Sequence, residues 1–458
     1  MSQAFSAPGK ALLAGGYLVL DPSYNSYVTA LSSRMHVVLR LGQERSDGLS
    51  SIKVLSPQFH NGEWEYITTS KEDLLSVKEV NDRVNPFLIA TVNTVLAYIQ
   101  PSTKYNVQLN IYSDPGYHSQ ENTTPKLSIN GKRSFLCHTQ AIHEVAKTGL
   151  GSSAGLVSVV TAALISYFGK GKELDKNVVH NVAQIAHCYA QKKIGSGFDV
   201  AAAVYGSIIY RRFQPKIIED LLQHPVFSAT GDEKLQKEYS SALRKVVDSD
   251  WDFNHTPCTL PPHIRLLMGD IQGGSETPKL VSKILQWKKE KPEQSSALYK
   301  DLNAANESLI TALDELHKLY KEKHDVYSKG IKFFSDQSID NLTKEVIPDF
   351  TAFYDLISSI KSIRLNLRKL TEYSGASVEP KEQTALLDDC ITLKGCFGGV
   401  VPGAGGYDAI CLLMVDDSIG KFVQASKSDS RFEKVTWLNL HEEKNGIIVE
   451  DVRHYLGL

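Results

Sequence analysis

Residues 147–154 read Lys-Thr-Gly-Leu-Gly-Ser-Ser-Ala and run directly into an apolar segment, residues 155–160. Glycine costs about 0.5–1 kcal/mol in regular structure, so a cluster of it before a buried helix needs a backbone reason. One reason is a capped helix start, since serine is a good N-cap. The other is an anion site, where unpaired backbone N–H groups and the positive end of a helix face a phosphate. A Walker A loop is excluded, because Lys147 and Thr148 precede the glycines instead of following them. Gly149, Gly151 and Ala154 match a dinucleotide fingerprint, GxGxxA. No hydrophobic strand leads into it, however, because residues 138–147 are HTQAIHEVAK, and no acidic residue ends a second strand about twenty positions on. A phosphate cradle of another type remains.

Other polar residues sit at suggestive spacings. Arg364 and Arg368 are one helical turn apart on a shared face, which suits either a phosphate or a solvated surface. Ser275 and Thr277 precede Pro278 and suit a helix cap, with substrate contact as a second role. The six cysteines at 137, 188, 258, 390, 396 and 411 have no CxxC and no paired zinc spacing, and read as reduced, mostly buried thiols of a cytosolic protein.

These residues need elements to hold them. The chain has 458 residues, a formal net charge of −2 and 42% hydrophobic content, enough for a large core and more than one domain. That charge balance gives no reason to expect nucleic acid or an anionic membrane as a general partner. Residues 11–20, ALLAGGYLVL, have the apolarity of an export signal, but Gly15 and Gly16 interrupt them and no A-x-A site follows. The uncharged stretch 148–169 opens with Gly and Ser, leaving a buried helix too short to span a bilayer.

Strands are expected at Tyr17–Leu20, Tyr27–Leu31 and 36–40, an amphipathic segment at 86–99, and a loop over 113–134. Helices follow at 152–168 and from about Asn177 to Lys192, then a turn, a short helix and a strand over 195–210. Residues 214–257 are charged and read as a connection. A strand at 263–269 opens the second half. The stripe Leu298, Leu302, Ala305, Leu309, Ala312, Leu316 and Leu319 fits a helix packed on its own domain's sheet better than a coiled coil. Glycine-rich turns and a strand fill 393–415, and a strand pair at 433–437 and 446–450 is expected to complete that sheet.

Three segments taken together resemble the GHMP small-molecule kinases. TGLGSSAG (148–155) with its apolar helix is similar to that family's phosphate-binding motif, SAPGKALLAGGYLVLD (6–21) to its N-terminal motif, and VPGAGGYDAICLL (401–413) to its C-terminal glycine motif. Within the family, GSGFDVAAAVYG (195–206), GGSETPKLV (273–281), IRLNLR (363–368) and VEPKEQTALLD (378–388) are most similar to the fungal-type branch acting on 5-phosphomevalonate. The chain has Gly15-Gly16-Tyr17 where kinases of mevalonate itself typically carry Gly-Glu-His, which disfavours that acceptor.

The resemblance implies an α+β GHMP kinase fold. An N-terminal ATP-binding domain over 1–215, resembling ribosomal protein S5, would be joined by 216–258 to a ferredoxin-like domain over 259–458. It implies MgATP and (R)-5-phosphomevalonate as substrates and ADP and 5-diphosphomevalonate as products. The chain is expected to be a cytoplasmic monomer or weak dimer with no nucleic-acid partner and no membrane insertion. Lys147, Gly149, Leu150, Gly151, Ser152, Ser153 and Ala154 would hold the nucleotide, with Ser152 or Ser153 placing a hydroxyl on Mg²⁺. Lys10 and Asp199 would be catalytic. The acceptor would meet Lys10, Gly16, Tyr17, Ser152, Ser196, Gly197, Asp199, Arg364, Arg368, Ala404 and Gly405. Mevalonate kinases carry a Glu about eleven residues before the catalytic Asp. Here Cys188 stands at that place, beside His187, which leaves a second metal ligand open. A GHMP kinase acting on an alcohol such as mevalonate, and a ligand sensor that kept the fold, stay as alternatives.

Overall fold

A computed structural model describes all residues except 1, 72–73, 82, 225–232, 272–276, 341 and 344–349. Ser275 and the start of the GGSETP segment lie outside the described residues.

The first strand, Gln3–Ala14, and the long strand Ser26–Leu41 are buried at nearly every position, as expected of strands covered on both faces. They pair antiparallel from Gln3 opposite Leu39 to Ala14 opposite Tyr27, and the register shifts between Pro8 and Gly9. A shift there fits Pro8, which cannot donate to a ladder and belongs at a bulge. Tyr17–Leu20, expected as a strand, instead passes through a short 3-10 turn at Leu18–Leu20, and the strand lies upstream of the glycine pair. Ser26–Leu41 also pairs with Asn106–Ser113 and Ile208–Arg211, at the centre of a ten-stranded sheet among the described residues.

Helices Pro86–Ile99, Ser152–Phe168, Lys176–Gln191 and Phe198–Tyr205 cluster against this sheet. Asn85 and Asp175 cap the first and third by accepting from backbone N–H groups in the first turn. Residues expected as a bare connection hold a helix, Glu233–Val247, whose Arg244 donates to the carbonyls of Tyr98 and Ile99. They also hold the strand Asn254–Pro257, which pairs with Ile208–Arg211.

A second, four-stranded antiparallel sheet has the order Cys396–Val400, Ala409–Val415, Ile264–Ile271, Val435–Leu438. Helix Thr351–Ser374 covers it, and the striped helix Pro292–Glu322 packs mainly on that helix, not directly on the sheet. The stripe therefore meets a partner that local periodicity does not reveal. Residues 446–450 do not complete this sheet either. Glu442–Glu443 and Ile448–Glu450 return to the large sheet, pairing with Ser26–Leu41 and with Gln3–Ala14. Buried Arg34 secures that return, donating to the carbonyls of Ser6 and Gly446. Among the described residues no helix is long and apolar enough to cross a membrane.

Candidate active site

The helix Ser152–Phe168 has no side-chain cap. Its N-cap is Gly151, in the left-handed region at φ 85°, so the serine-capped start does not form. The first turn therefore has backbone N–H groups with neither helical nor side-chain acceptors, the condition for holding an anion.

Lys10 reaches this loop because the first strand does. Its backbone N–H donates to Leu150 O at 3.1 Å, and its Nζ donates to Gly149 O at 2.8 Å. Gly151 is packed between the two charged candidates: a Cβ there would stand 3.3 Å from Lys10 Cε and 3.9 Å from Asp199 Cβ. Asp199 occupies the first turn of helix Phe198–Tyr205, and its Oδ1 accepts from Val200 N at 3.0 Å. Phe198 lies under the Lys10 ammonium, 5.4 Å from ring centre to Nζ. Burial lowers the Lys10 pKa from its ordinary value, and the negative charge of Asp199 opposes that shift.

The two glycine motifs also meet. Tyr17, a non-glycine residue at φ 63°, donates its hydroxyl to Ala404 O at 2.8 Å. A Cβ on Gly16 would lie 3.0 Å from Gly403 O. A cavity of about 260 Å³ opens there, lined by Lys10, Tyr17, Thr148, Gly149, Ser196 and Phe198 from the first half. Met268, Thr277, Gly403, Ala404, Gly405 and Asp408 line it from the second. On its other side the same loop lines a cleft of about 530 Å³, through Lys147, Ser152 and Ser153. Phe59, Trp64, Phe87, Ile142 and Leu156 make much of that cleft apolar. The loop is thus a wall shared by two cavities, one apolar and one holding the Lys10 ammonium.

Leu150 and Ala154 are buried beneath the loop, and Gly197 caps the Asp199 helix. Arg364 and Arg368 sit elsewhere. Both donate to Glu379 Oε1, Arg364 at 3.0 and 3.1 Å and Arg368 at 3.2 Å, and Arg364 also holds Asp388 at 2.7 Å. Neither lines either cavity. Their shared face is occupied by carboxylates of the same half.

Two sets of residues escaped the sequence reading. The apolar wall of the larger cleft comes from four separated stretches, around 59–64, 87, 142 and 156, and no spacing announces it. His187 is the other: Nε2 lies 3.1 Å from Ser153 Oγ and 3.9 Å from Asp199 Oδ2. The signals for it are an imidazole on a buried helix face and its place beside Cys188, where related kinases carry a Glu. Two serine hydroxyls and one carboxylate are a donor set suited to a hard divalent ion that keeps several waters. Among the described residues no group of three or more His, Cys, Asp or Glu is placed to hold a metal.

Residues 138–207 match the model of the GHMP kinases N terminal domain. Over the full length of both chains the sequence is 52% identical to a phosphomevalonate kinase of Candida albicans. It is 34% identical to Phosphomevalonate kinase erg8 of Aspergillus fumigatus, covering 99% of this chain and 98% of that one. In fold it is similar to the Streptococcus pneumoniae phosphomevalonate kinase solved with phosphomevalonate and AMPPNP. That match has a TM-score of 0.60 at 16% identity and covers 96% of this chain and 99% of that one.

Proposed function

Since the chain belongs to the phosphomevalonate kinase family of GHMP kinases, we propose that the two cavities flanking residues 147–153 carry out that family's reaction. The γ-phosphoryl group of ATP passes to the phosphate of (R)-5-phosphomevalonate, giving 5-diphosphomevalonate and ADP in the mevalonate pathway. The observation that carries this reading is the shared wall: an apolar cleft on one side for a base and ribose, Lys10 and a smaller cavity on the other for the acceptor.

Phosphoryl transfer needs positioning and charge neutralisation more than covalent help. The uncapped helix start and Gly149–Ser153 hold the β- and γ-phosphates through backbone donors, with Lys147 at the cleft edge. Magnesium bound with the nucleotide supplies charge neutralisation there, and Ser152 and Ser153 are the hydroxyls that would hold it. The acceptor is a phosphate monoester with a second pKa near 6, so it is largely dianionic at neutral pH and needs no general base. The obstacle is repulsion between two anionic phosphates, which Lys10 neutralises. Asp199 orients that ammonium and the acceptor, and its negative charge offsets part of the effect of burial on Lys10. Gly16, Tyr17, Ser196, Gly197, Ala404 and Gly405 shape the acceptor side. The first half with its connecting helices thus forms the nucleotide domain, and the second closes the acceptor cavity. Six unpaired cysteines fit a reducing, cytosolic setting.

The test is ADP release by the purified protein with MgATP, offered 5-phosphomevalonate and mevalonate in parallel. Turnover with the phosphorylated acceptor alone is expected. Turnover with mevalonate alone would overturn the acceptor, and silence with both would overturn the kinase.

A further inference from the structure

His187 touches three parts of the site at once. It sits on helix Lys176–Gln191, buried, with its ring 5.5 Å from that of Phe87, which lines the larger cleft. Its Nε2 lies 3.1 Å from Ser153 Oγ, 3.4 Å from the side-chain amide nitrogen of Gln191 and 3.9 Å from Asp199 Oδ2.

These distances define a polarity. An amide nitrogen donates only, and Gln191 thereby marks Nε2 as the acceptor. The Ser153 hydroxyl, closer at 3.1 Å, is then the principal donor to that lone pair, and the Gln191 amide at 3.4 Å the weaker one. A nitrogen that accepts has no proton for Asp199, and the 3.9 Å separation is beyond hydrogen-bond reach. A serine whose hydrogen is committed inward presents both oxygen lone pairs outward, toward the loop cavity it lines.

We propose that His187 is a positioning residue that fixes the Ser153 hydroxyl as an oxygen donor to the nucleotide-bound cation. The proposal rests on the nucleotide reading of the larger cleft. An imidazole in place of a carboxylate has a further effect. It orients the hydroxyl without adding a second negative charge beside Asp199, at a site where two phosphates must already approach each other. Outer partners of this kind change metal affinity about 10- to 100-fold when removed.

The test is titration of the full-length protein with AMPPNP, with and without Mg²⁺, for the parent, His187→Leu, His187→Gln, Ser153→Ala and the Ser153→Ala/His187→Leu double variant. Thermal melting of each variant reports folding. The quantity read is the gain in AMPPNP affinity on adding Mg²⁺. His187→Leu is expected to lose about tenfold of that gain, as Ser153→Ala does, with metal-free affinity changed less than about twofold. The double variant is expected to lose no more than either single one. His187→Gln, whose amide oxygen can accept the Ser153 hydroxyl, is expected to recover most of the gain. An undiminished gain in His187→Leu would overturn the proposal, as would equal losses with and without metal, the mark of a packing residue. Should the Leu variant not fold, the Gln variant decides, because a metal gain lost there refutes the assigned polarity. A parent that binds no AMPPNP at all would overturn the nucleotide reading, and this proposal with it.

Discussion

Lys10 holds its position through two bonds to one loop, a backbone N–H to Leu150 O and the ammonium to Gly149 O. Burial disfavours its charge, and the negative charge of Asp199 offsets part of that effect. Lys10→Met should therefore lower kcat more than Asp199→Asn, with both variants folded, because the acceptor arrives already ionised. Steady-state rates with 5-phosphomevalonate decide this, and a far larger loss in the Asn variant would make Asp199 a base. The signs also separate in a pH profile. Removing the Asp199 charge lowers the Lys10 pKa further, so the alkaline limb of kcat should move to lower pH in Asp199→Asn. A limb that stays in place would contradict the electrostatic role.

At the level of elements, the helix bearing Asp199 is held from behind by the returning chain. Ile447 N donates to Val204 O at 3.1 Å and Ser207 Oγ to Glu443 O at 2.8 Å. A Cβ at Gly446 would lie 2.1 Å from Val204 O, so Gly446→Ala must push the segment off the helix end. A loss of about 1–3 kcal/mol in urea unfolding is expected, within the range for overpacking, together with reduced kcat. An unchanged midpoint would show that the segment is free to move. Arg364 gives the converse case. It lies on Thr351–Ser374 with its guanidinium committed to buried Glu379 and to Asp388. Arg364→Met leaves Glu379 with only Arg368 and Thr384 as side-chain partners among the described residues, and should cost stability, about 3 kcal/mol by analogy with broken buried pairs. A raised KM for the acceptor with unchanged melting would return Arg364 to the binding site.

Across the whole molecule, buried histidines contribute to the response to acid. Burial lowers His180 and His118 to about 4, so both are neutral in the folded chain and take up protons near 6.5 when unfolded. Their stabilisation is complete above about pH 6.5 and is lost as pH falls toward 4, on the order of 3 kcal/mol for His180 alone. Urea midpoints at pH 7.5 and 4.5 measure it, and equal midpoints would refute it. The site's own legibility was uneven for a related reason. The glycine loop, Lys10 and Asp199 are short local signals, and the structure gathers them at one place. His187, the apolar wall and the return of Ile448–Glu450 to the first sheet depend on contacts between distant segments, to which periodicity is blind. A buried imidazole that positions a serine and one that fills a core, like His180, look alike along a helix.

The return of residues 442–450 also has a consequence for how the chain is made. Until those residues leave the ribosome, the outer edge of the strand Gln3–Ala14 has no Ile448–Glu450 to pair with. At ordinary synthesis rates of about 5–20 residues per second, that edge waits roughly 20–90 s. An open strand edge is a template for pairing with other chains, so this interval is when the nascent first half is most exposed to aggregation.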